Sequence, residues 1–328
     1  MLNWGIIGLG RIANNFALGI EDVSNANLLG IASKTEKKLL DFKKKFNIDE
    51  RYCFSNYEDL ITCNKIDIIY IALPHNFHFK WIMKCLENNK KVLTEKPATT
   101  SLEDMKKINE KLNNEKIFFA EGFMYRFHPQ TSKVVSLIKS KEIGELISME
   151  SNFGMNLMEK RNIFGFKKIK FNRESRLFNK SLAGGCIFDL GCYPSSFSIL
   201  IAKLKDPNNL EIDLKNSKIE YSSTDVDIDS HTEINFSNNF KSYVSCSFKR
   251  NLGKKTKIIG SKGSIEIEDS WHCSPMKIIV NNKKFFEDKF VFPNIFSYEI
   301  ESIVNSILNN KTEPEYPAIS RHESELNI

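Results

Sequence analysis

The chain has 328 residues, 41% of them hydrophobic and 27% charged, and its 47 basic and 41 acidic residues give a net charge of +6. This composition is typical of a soluble globular protein with two domains or one large α/β unit. Lysines mix with acidic residues instead of clustering with aromatic ones, which argues against a nucleic-acid surface. No run approaches the roughly 18 apolar residues of a membrane span, so no membrane segment is expected.

The cysteines and histidines indicate free thiols and no metal site. The seven cysteines are an odd number and no two are spaced C-x-x-C, so neither a zinc knuckle nor a redox dithiol is indicated. Free thiols are typical of a reducing compartment. The apolar stretch at the N-terminus is too brief for a signal peptide, and the expected location is cytoplasmic. The histidines lack the spacing of metal ligands.

The first predicted strand, residues 3–8, ends in the pattern G-x-G-x-x-A. Gly8 permits a tight turn, Gly10 lets the backbone approach a pyrophosphate, and Ala13 keeps the following helix close to the strand. The N-terminus of that helix would face the phosphates. Because the pattern lies between a strand and a helix, it predicts a dinucleotide site. The residues assigned to the cofactor here are Gly8, Gly10, Arg11 and Ile12.

The second strand, residues 25–34, ends without the acidic residue that binds the ribose 2′-hydroxyl in NAD-dependent proteins. Ser33 and Lys34 are found there instead, and a cation with hydroxyl groups suits the 2′-phosphate of NADP(H). We therefore expect NADP as the cofactor, with NAD as the alternative. In the other interpretation, Ser33 or Thr35 only caps the next helix.

Strands and helices alternate over the first 121 residues. The strongest strand signal is 65–74, an apolar and β-branched run that ends at Pro74. A helix and another strand follow, and that strand ends at residues 95–97. This alternation predicts an α/β Rossmann domain over residues 1–121, a parallel sheet with helices on both faces.

Two further segments are expected at the edge of this sheet where ligands bind. In parallel sheets that edge is formed by the carboxyl ends of the strands. The turn after the strand 65–74 and the tripeptide 95–97 both lie at such ends. The residues assigned to the cofactor here are Leu73, Pro74, Asn76, His78, Glu95, Lys96 and Pro97. For His78, capping of the following helix is the alternative.

From about residue 122 the pattern changes to strands with period-two alternation. Ser237-Asn238-Asn239 and Asn281-Asn282 are typical of hairpin turns, so antiparallel pairing is expected. We predict an α+β domain over residues 122–328, with an open, mostly antiparallel sheet. A helix from about Gly185 to Ile201 would cover one face of that sheet.

Five segments of the chain resemble one known family. They are "GIIGLGRIA" near the start, "IALPHNFHFKW" at 71–81, "EKP" at 95–97, "EGFMYRFHPQ" at 121–130 and "SRLFNKSLAGGCIFDLGCYP" at 175–194. The chain resembles the glucose-fructose oxidoreductase / inositol dehydrogenase / MocA family of NAD(P)-dependent dehydrogenases. Within it, the segments look like the branch of the dimeric dihydrodiol dehydrogenases and the D-xylose (aldose) 1-dehydrogenases.

The resemblance implies roles for four residues. In this family the lysine that corresponds to Lys96 lies beside the nicotinamide, often before a cis proline, and assists the catalytic acid/base. The acid/base is implied at Tyr193, where many relatives have histidine. Asp189, which would share a helix face with Tyr193, either orients a sugar hydroxyl or holds the segment together. Arg126 is assigned to the cofactor.

A tyrosine and a lysine together suit proton transfer from a carbinol. Tyrosine has a pKa of about 10 and is a poor base at neutral pH. A nearby cation stabilises the phenolate, and Lys96 would supply it. We expect an NADP(H)-dependent oxidoreductase acting on a carbinol of a sugar or polyol, with the C1 position of an aldose favoured by the resemblance. The alternatives are a trans-dihydrodiol dehydrogenase, a keto-sugar reductase of polysaccharide synthesis and, from another class, a non-catalytic dinucleotide-binding sensor.

The resemblance further implies a homodimer or homotetramer. In the family, the face of the second-domain sheet that the helix leaves open forms the interface between subunits. A solvated face is the alternative, because antiparallel sheets permit one face to meet water. A small sugar or polyol is the other expected partner.

Overall fold

The computed structural model describes residues 1–161, 167–169, 175–207, 210–274, 276–286 and 292–314. The chain divides into two compact units. One consists of Met1–His128 and the C-terminal segment that contains the last helix, and the other of Pro129–Lys289. The predicted division, which assigned all of 122–328 to the second domain, is corrected by the structure at both ends of that range.

The first unit is built on six parallel strands. These strands are β1 (Leu2–Ile7), β2 (Ala26–Ala32), β3 (Cys53–Phe54), β4 (Ile68–Ile71), β5 (Lys91–Glu95) and β6 (Phe119–Gly122). The helices between them are α1 (Arg11–Glu21), α2 (Glu36–Phe46), α3 (Tyr57–Thr62), α4 (His78–Glu87) and α5 (Leu102–Glu115). The strand order is β3-β2-β1-β4-β5-β6, and every neighbouring pair is parallel.

This strand order is that of the Rossmann fold. The chain first adds strands on one side of β1, and from β4 onwards it adds them on the other side. All four residues of β4 are fully buried, as a parallel sheet covered on both faces requires. The α/β fold class predicted for the first unit is therefore confirmed. Ligands of such sheets bind outside the carboxyl ends of the strands near the reversal, here the ends of β1 and β4.

The second unit contains the mixed sheet. Its helices are α6 (Pro129–Lys139) and α7 (Cys192–Lys205). Its strands are β7 (Leu146–Gly154), β8 (Glu159–Arg161), β9 (Lys167–Ile169), β10 (Ile212–Tyr221), β11 (Asp227–Phe236), β12 (Lys241–Ser247), β13 (Thr256–Gly260), β14 (Gly263–Ile267), β15 (Ile278–Val280) and β16 (Lys283–Phe286).

Eight of these strands form one open sheet in the order β10-β11-β12-β7-β13-β14-β15-β16, and β8 pairs with β9 separately. Only the β12–β7 pair is parallel among the described neighbours. The predicted open, mostly antiparallel sheet is confirmed. The predicted hairpin turns are also present, with Asn239, Asn281 and Asn282 in the left-handed region that tight turns need.

The helix predicted from about Gly185 to Ile201 differs in its first turns. A π-helical segment spans Ile187–Gly191, and α7 begins only at Cys192. π-helical turns of this kind are often found at functional sites.

The last helix, α8 (Ile295–Leu308), packs within the first unit. The ring of Phe296 lies edge-on to that of Phe16 of α1, with 5.9 Å between ring centroids. Asn294 Nδ2 donates to the carbonyl oxygen of Asn15 at 2.8 Å. These contacts between distant parts of the sequence are the reason that the expected domain division was wrong at the C-terminal end.

Candidate active site

Three chain segments lie side by side at the carboxyl edge of the first-unit sheet. Gly8–Gly10 follow β1, Leu73–Asn76 follow β4, and Glu95–Pro97 end β5. Because β4 pairs with both β1 and β5, the structure brings these predicted cofactor residues together. The arrangement forms a rim on which a dinucleotide can lie.

The two glycines of the first turn differ in the space that a Cβ atom would find. Gly8 has φ +89°, and a Cβ there would lie 2.5 Å from the carbonyl oxygen of Ala72, so the fold itself requires glycine. Gly10 has φ −94°, and a Cβ there would meet no heavy atom within 4 Å. No side chain caps the start of α1, where Arg11 is exposed and Ile12 is half-buried. The open space at Gly10 and the uncapped helix N-terminus therefore fit a pyrophosphate.

The end of β2 exposes a cation. Ser33 is buried, and its Oγ accepts a hydrogen bond from the backbone N of Thr35 at 3.1 Å. Thr35 is the N-cap of α2 but makes no side-chain capping bond. Lys34 is exposed, with Nζ 5.6 Å from the ring centroid of Tyr57. Tyr57, which sequence analysis missed, thus supports the lysine that was assigned to the 2′-phosphate.

His78 links two loops of the rim from below. Its ring is fully buried, with Nδ1 2.7 Å from the carbonyl oxygen of Pro97 and Nε2 2.8 Å from that of Leu73. Carbonyl oxygens only accept hydrogen bonds, so both contacts are satisfied only when both ring nitrogens carry a proton. The structure therefore gives His78 a positioning role beneath the rim.

The Glu95-Lys96-Pro97 turn is held by its neighbours. Tyr70 Oη donates to Glu95 Oε1 at 2.5 Å, and the backbone N of Ala98 donates to Glu121 Oε1 at 2.6 Å. The Lys96–Pro97 peptide bond is cis. Pro97 is buried while Glu95 and Lys96 remain partly exposed, so the turn delivers Lys96 to the rim.

Two other residues assigned to the cofactor have contrasting surroundings. Asn76 is exposed at the rim. Arg126 is fully buried in the helical turn Met124–Phe127, where its Nε donates to Tyr125 Oη at 3.3 Å and its guanidinium lies 5.3 Å from the ring centroid of Phe123. Contact between Arg126 and a cofactor stays a prediction.

In the second unit, Asp189 and Tyr193 lie on either side of the change from π-helix to α-helix. Asp189 is in the π-helical segment, and its Oδ1 accepts from Arg176 Nη2 at 2.8 Å. Tyr193 is in the first turn of α7. The π-helical turn lies between them, and the shared helix face of the two side chains stays a prediction. The ion pair with Arg176 supports the interpretation that Asp189 holds the segment together.

Aromatic residues surround Tyr193, which is only 7% exposed. Its ring centroid lies 5.4 Å from that of Phe153 on β7 and 5.8 Å from that of Trp271. Phe197, one turn further along α7, lies 6.0 Å from Trp271. Sequence analysis missed this apolar wall, although the alternation of β7 places Phe153 on its inward face. Such a wall limits the access of water to the phenol of Tyr193.

Asp269 fixes the loop that carries Trp271. Burial alone would raise the pKa of Asp269, but hydrogen bonds from His272 and Lys254 hold that pKa well below its usual range. The backbone N of His272 donates at 2.8 Å and Lys254 Nζ at 3.1 Å. Asp269 is therefore ionised at neutral pH and anchors the aromatic wall.

Within the described parts of the chain, no group of three or more His, Cys, Asp or Glu residues could hold a metal ion. All seven cysteines are free thiols. One helical segment, Lys180–Lys205, is long and apolar enough to cross a membrane, but 78% of its apolar window is buried inside the protein, as in a core helix.

Comparison with known families agrees with this geometry. Residues 2–123 match the profile described as "Oxidoreductase family, NAD-binding Rossmann fold", and residues 131–266 match "GFO/IDH/MocA C-terminal domain". The chain belongs to the GFO/IDH/MocA oxidoreductase family. The predicted resemblance is confirmed, and the first unit is the NAD-binding Rossmann domain of that family.

Individual members of the family align with this chain over different lengths. A trans-1,2-dihydrobenzene-1,2-diol dehydrogenase of Xenopus tropicalis is 27% identical over 98% of this chain and 94% of its own. A D-xylose 1-dehydrogenase (NADP(+)) of Hypocrea jecorina is 30% identical over 59% of this chain and 51% of its own. The solved aldose-aldose oxidoreductase of Caulobacter crescentus has a TM-score of 0.83 at 17% identity, over 99% and 94% of the two chains. Its likeness supports the fold.

The two glycines provide a paired test of the dinucleotide site. In Gly10→Ala, we expect the stability to change little, because the Cβ meets no protein atom. NADPH binding should weaken at least about tenfold, because the methyl group lies where the pyrophosphate approaches. Gly8→Ala should instead destabilise the protein by about 1–3 kcal/mol through backbone strain.

Urea unfolding and fluorescence titration with NADPH would measure both quantities for both variants. Unchanged NADPH affinity in Gly10→Ala would contradict the placement of the pyrophosphate.

Proposed function

We propose that this family member is an NADP(H)-dependent oxidoreductase that transfers a hydride between the nicotinamide and a carbinol of a sugar or polyol. The observation that carries the proposal is the rim formed by the ends of β1, β4 and β5. It joins a space for a pyrophosphate to the turn that presents Lys96.

The cofactor supplies one part of this chemistry, since NADP(H) accepts or donates the hydride when it is bound. The N-terminus of α1 binds the pyrophosphate, and Lys34 binds the 2′-phosphate. Tyr193 exchanges the proton of the substrate hydroxyl. Lys96 assists this acid/base with the positive charge of its ammonium group, as the resemblance to the family implies.

For the substrate, we favour oxidation at C1 of an aldose. A relative that is 30% identical over part of the chain is a D-xylose 1-dehydrogenase (NADP(+)). A trans-dihydrodiol is the second candidate, since a relative of that activity aligns with 98% of this chain. Reduction of a keto-sugar in polysaccharide synthesis is the third. A screen of aldoses, polyols, trans-dihydrodiols and keto-sugars at 340 nm would distinguish these substrates.

A non-catalytic sensor that binds dinucleotide remains the rival from another class. A sensor has no need of a lysine at the rim or of a tyrosine enclosed by aromatic residues. The presence of both Lys96 and Tyr193 therefore supports an enzyme.

The catalytic roles are tested by Lys96→Ala and Tyr193→Phe. Each variant should lose about 10²–10⁴-fold in kcat, the usual contribution of general acid–base catalysis. The melting temperature should change little, because Lys96 is partly exposed and phenylalanine preserves the ring packing of Tyr193. Turnover with the substrate found in the screen and thermal melts would measure the two effects.

Lys80→Ala, which changes an exposed lysine on α4, is the matched control for Lys96→Ala. If wild-type protein binds NADPH tightly but turns over none of the compounds, the sensor is favoured over the enzyme.

Preference for NADP(H) is tested at Lys34. A charge-assisted hydrogen bond contributes about 1.5–3 kcal/mol, so Lys34→Ala should weaken NADPH binding about 10- to 150-fold and leave NADH binding nearly unchanged. Fluorescence titrations with the two cofactors would show the difference, with the exposed Lys44 of α2 mutated to Ala as a control. A wild-type preference for NADH would contradict the assignment of Lys34.

We also propose that the protein is a homodimer or homotetramer through the open face of the second-unit sheet. Ile259 on β13 is 37% exposed there, beside the exposed ion pair of Lys257 with Glu266. Sedimentation equilibrium should show a dimer or tetramer, and Ile259→Lys should shift the protein towards monomer. A wild-type monomer at micromolar concentration would show that this face is solvated.

The proposed location is the cytoplasm, where the seven free thiols would stay reduced. Acid quenching of cells followed by alkylation of the unfolded protein would test this, because all seven thiols should then react, whereas a disulfide-forming compartment would leave some of them unreactive.

A further inference from the structure

Glu299 on α8 is a buried carboxyl group that the proposed mechanism does not use. Its side chain is fully buried, and neither carboxyl oxygen has a hydrogen-bond partner among the described residues. An ionised carboxylate in such surroundings is very costly, and proteins usually avoid the cost by keeping the group protonated. Its position in the fold therefore needs an explanation.

Packing places Glu299 towards the Glu95-Lys96-Pro97 turn. Phe296 and Glu299 are three residues apart on a helix and so share one face. The ring of Phe296 packs on Phe16, which in turn stacks on Tyr70 with 3.8 Å between centroids. Tyr70 Oη donates to Glu95. The face of α8 that carries Glu299 thus covers the layer that holds Glu95.

Of the charged groups around α8, Glu95 is the one that affects the pKa of Glu299. Among the described residues, the titratable or charged groups on the elements packed against α8, or in contact with it, are Arg11, Glu21, Asp22, Glu95, Tyr125, Arg126 and His128. Burial, and after it the negative charge of Glu95, raises the pKa of Glu299 well above its usual value. Glu95 is thus the neighbouring charge that contributes to this shift.

The environments of the two carboxyl groups decide which one holds the proton. Glu95 is partly exposed and accepts a hydrogen bond from Tyr70, and both features favour its ionised form. Glu299 has neither. Two neighbouring carboxyl groups in a protein interior do not both ionise readily, so they share one proton.

We propose that Glu299 is a positioning residue, a neutral carboxylic acid that shares one proton with Glu95 and so prevents a second negative charge from forming beside Glu95 behind the Lys96–Pro97 turn. Its effect on catalysis rests on the proposed role of Lys96. Ionisation of Glu299 would place two carboxylates behind the turn, and their repulsion would displace Lys96 from its position at the rim.

The shared proton makes stability depend on pH with a definite sign. Above the unfolded-state pKa of about 4.3, the unfolded chain has lost the proton that folded Glu299 retains. The folding equilibrium constant should therefore fall about tenfold per pH unit until the pH reaches the folded-state pKa. Glu299→Gln has a similar shape but no proton to lose.

Urea unfolding from pH 5 to 9 tests the proton sharing without any measurement of turnover. We expect the stability of Glu299→Gln relative to wild type to increase with pH, about tenfold in the equilibrium constant per unit. Glu301→Gln, an exposed residue on the same helix, should follow wild type at every pH. Parallel pH curves for wild type and Glu299→Gln would overturn the proposal.

Kinetics tests the positioning role. Glu299→Leu fills the same space without a polar group and should lower kcat about tenfold while the Kd for NADPH stays within about twofold. Glu299→Gln, which keeps a neutral polar group of the same shape, should recover most of that loss. Equal kcat values for the Leu and Gln variants would overturn the positioning role.

Failure of the proposed function has a different signature. Wild-type protein would then turn over no sugar or polyol, while the pH dependence of unfolding would still support or overturn the shared proton. If Glu299→Leu does not fold, the comparison of kcat between Glu299→Gln and wild type across the same pH range replaces it. A constant ratio of the two kcat values would then count against the positioning role.

Discussion

The paired hydrogen bonds of His78 are the interaction on which the cofactor rim depends. The loops that end β4 and β5 carry polar backbone groups that must be satisfied where they turn away from the sheet. One buried ring joins them through the carbonyl oxygens of Leu73 and Pro97. The turn that presents Lys96 is thus tied through His78 to the loop that follows β4.

The same turn is supported by carboxyl groups of different kinds. Glu121 accepts from the backbone N of Ala98, and Glu95 accepts from Tyr70. Glu299 is buried and accepts no hydrogen bond from a described residue. Buried charges are costly unless they are paired, and burial accordingly raises the pKa of Glu299 well above its usual value. The electrostatic surroundings of Lys96 are therefore built from three segments that are far apart in the sequence.

In the second unit, the main structural feature is the enclosure of the phenol of Tyr193. Tyr193 follows a π-helical turn and faces an aromatic wall that includes Phe153 and Trp271. The ion pair of Arg176 with Asp189 holds the turn, and Asp269 holds the loop of Trp271. An apolar enclosure strengthens electrostatic effects on the phenol, because water no longer screens them.

The sequence by itself determined the features that are encoded by residues close together in the chain. The turn from Gly8 to Gly10, the strand ends at Pro74 and Lys96, and the change from alternating helices to hairpins are local patterns, since backbone sterics and hydrophobic periodicity act over a few residues. These patterns sufficed for the fold class and for the family. Tyr193 was reached in another way, through the resemblance of residues 175–194 to the family.

Tertiary structure alone decided the features that join distant segments. The support of Lys34 by Tyr57, the bridge made by His78, the burial of Arg126 and the return of Glu299 to the first unit all depend on packing between elements. Such contacts are set by shape and burial across the whole unit, and no local pattern encodes them. For that reason the sequence identified which residues reach the rim, while the structure identified what holds them there.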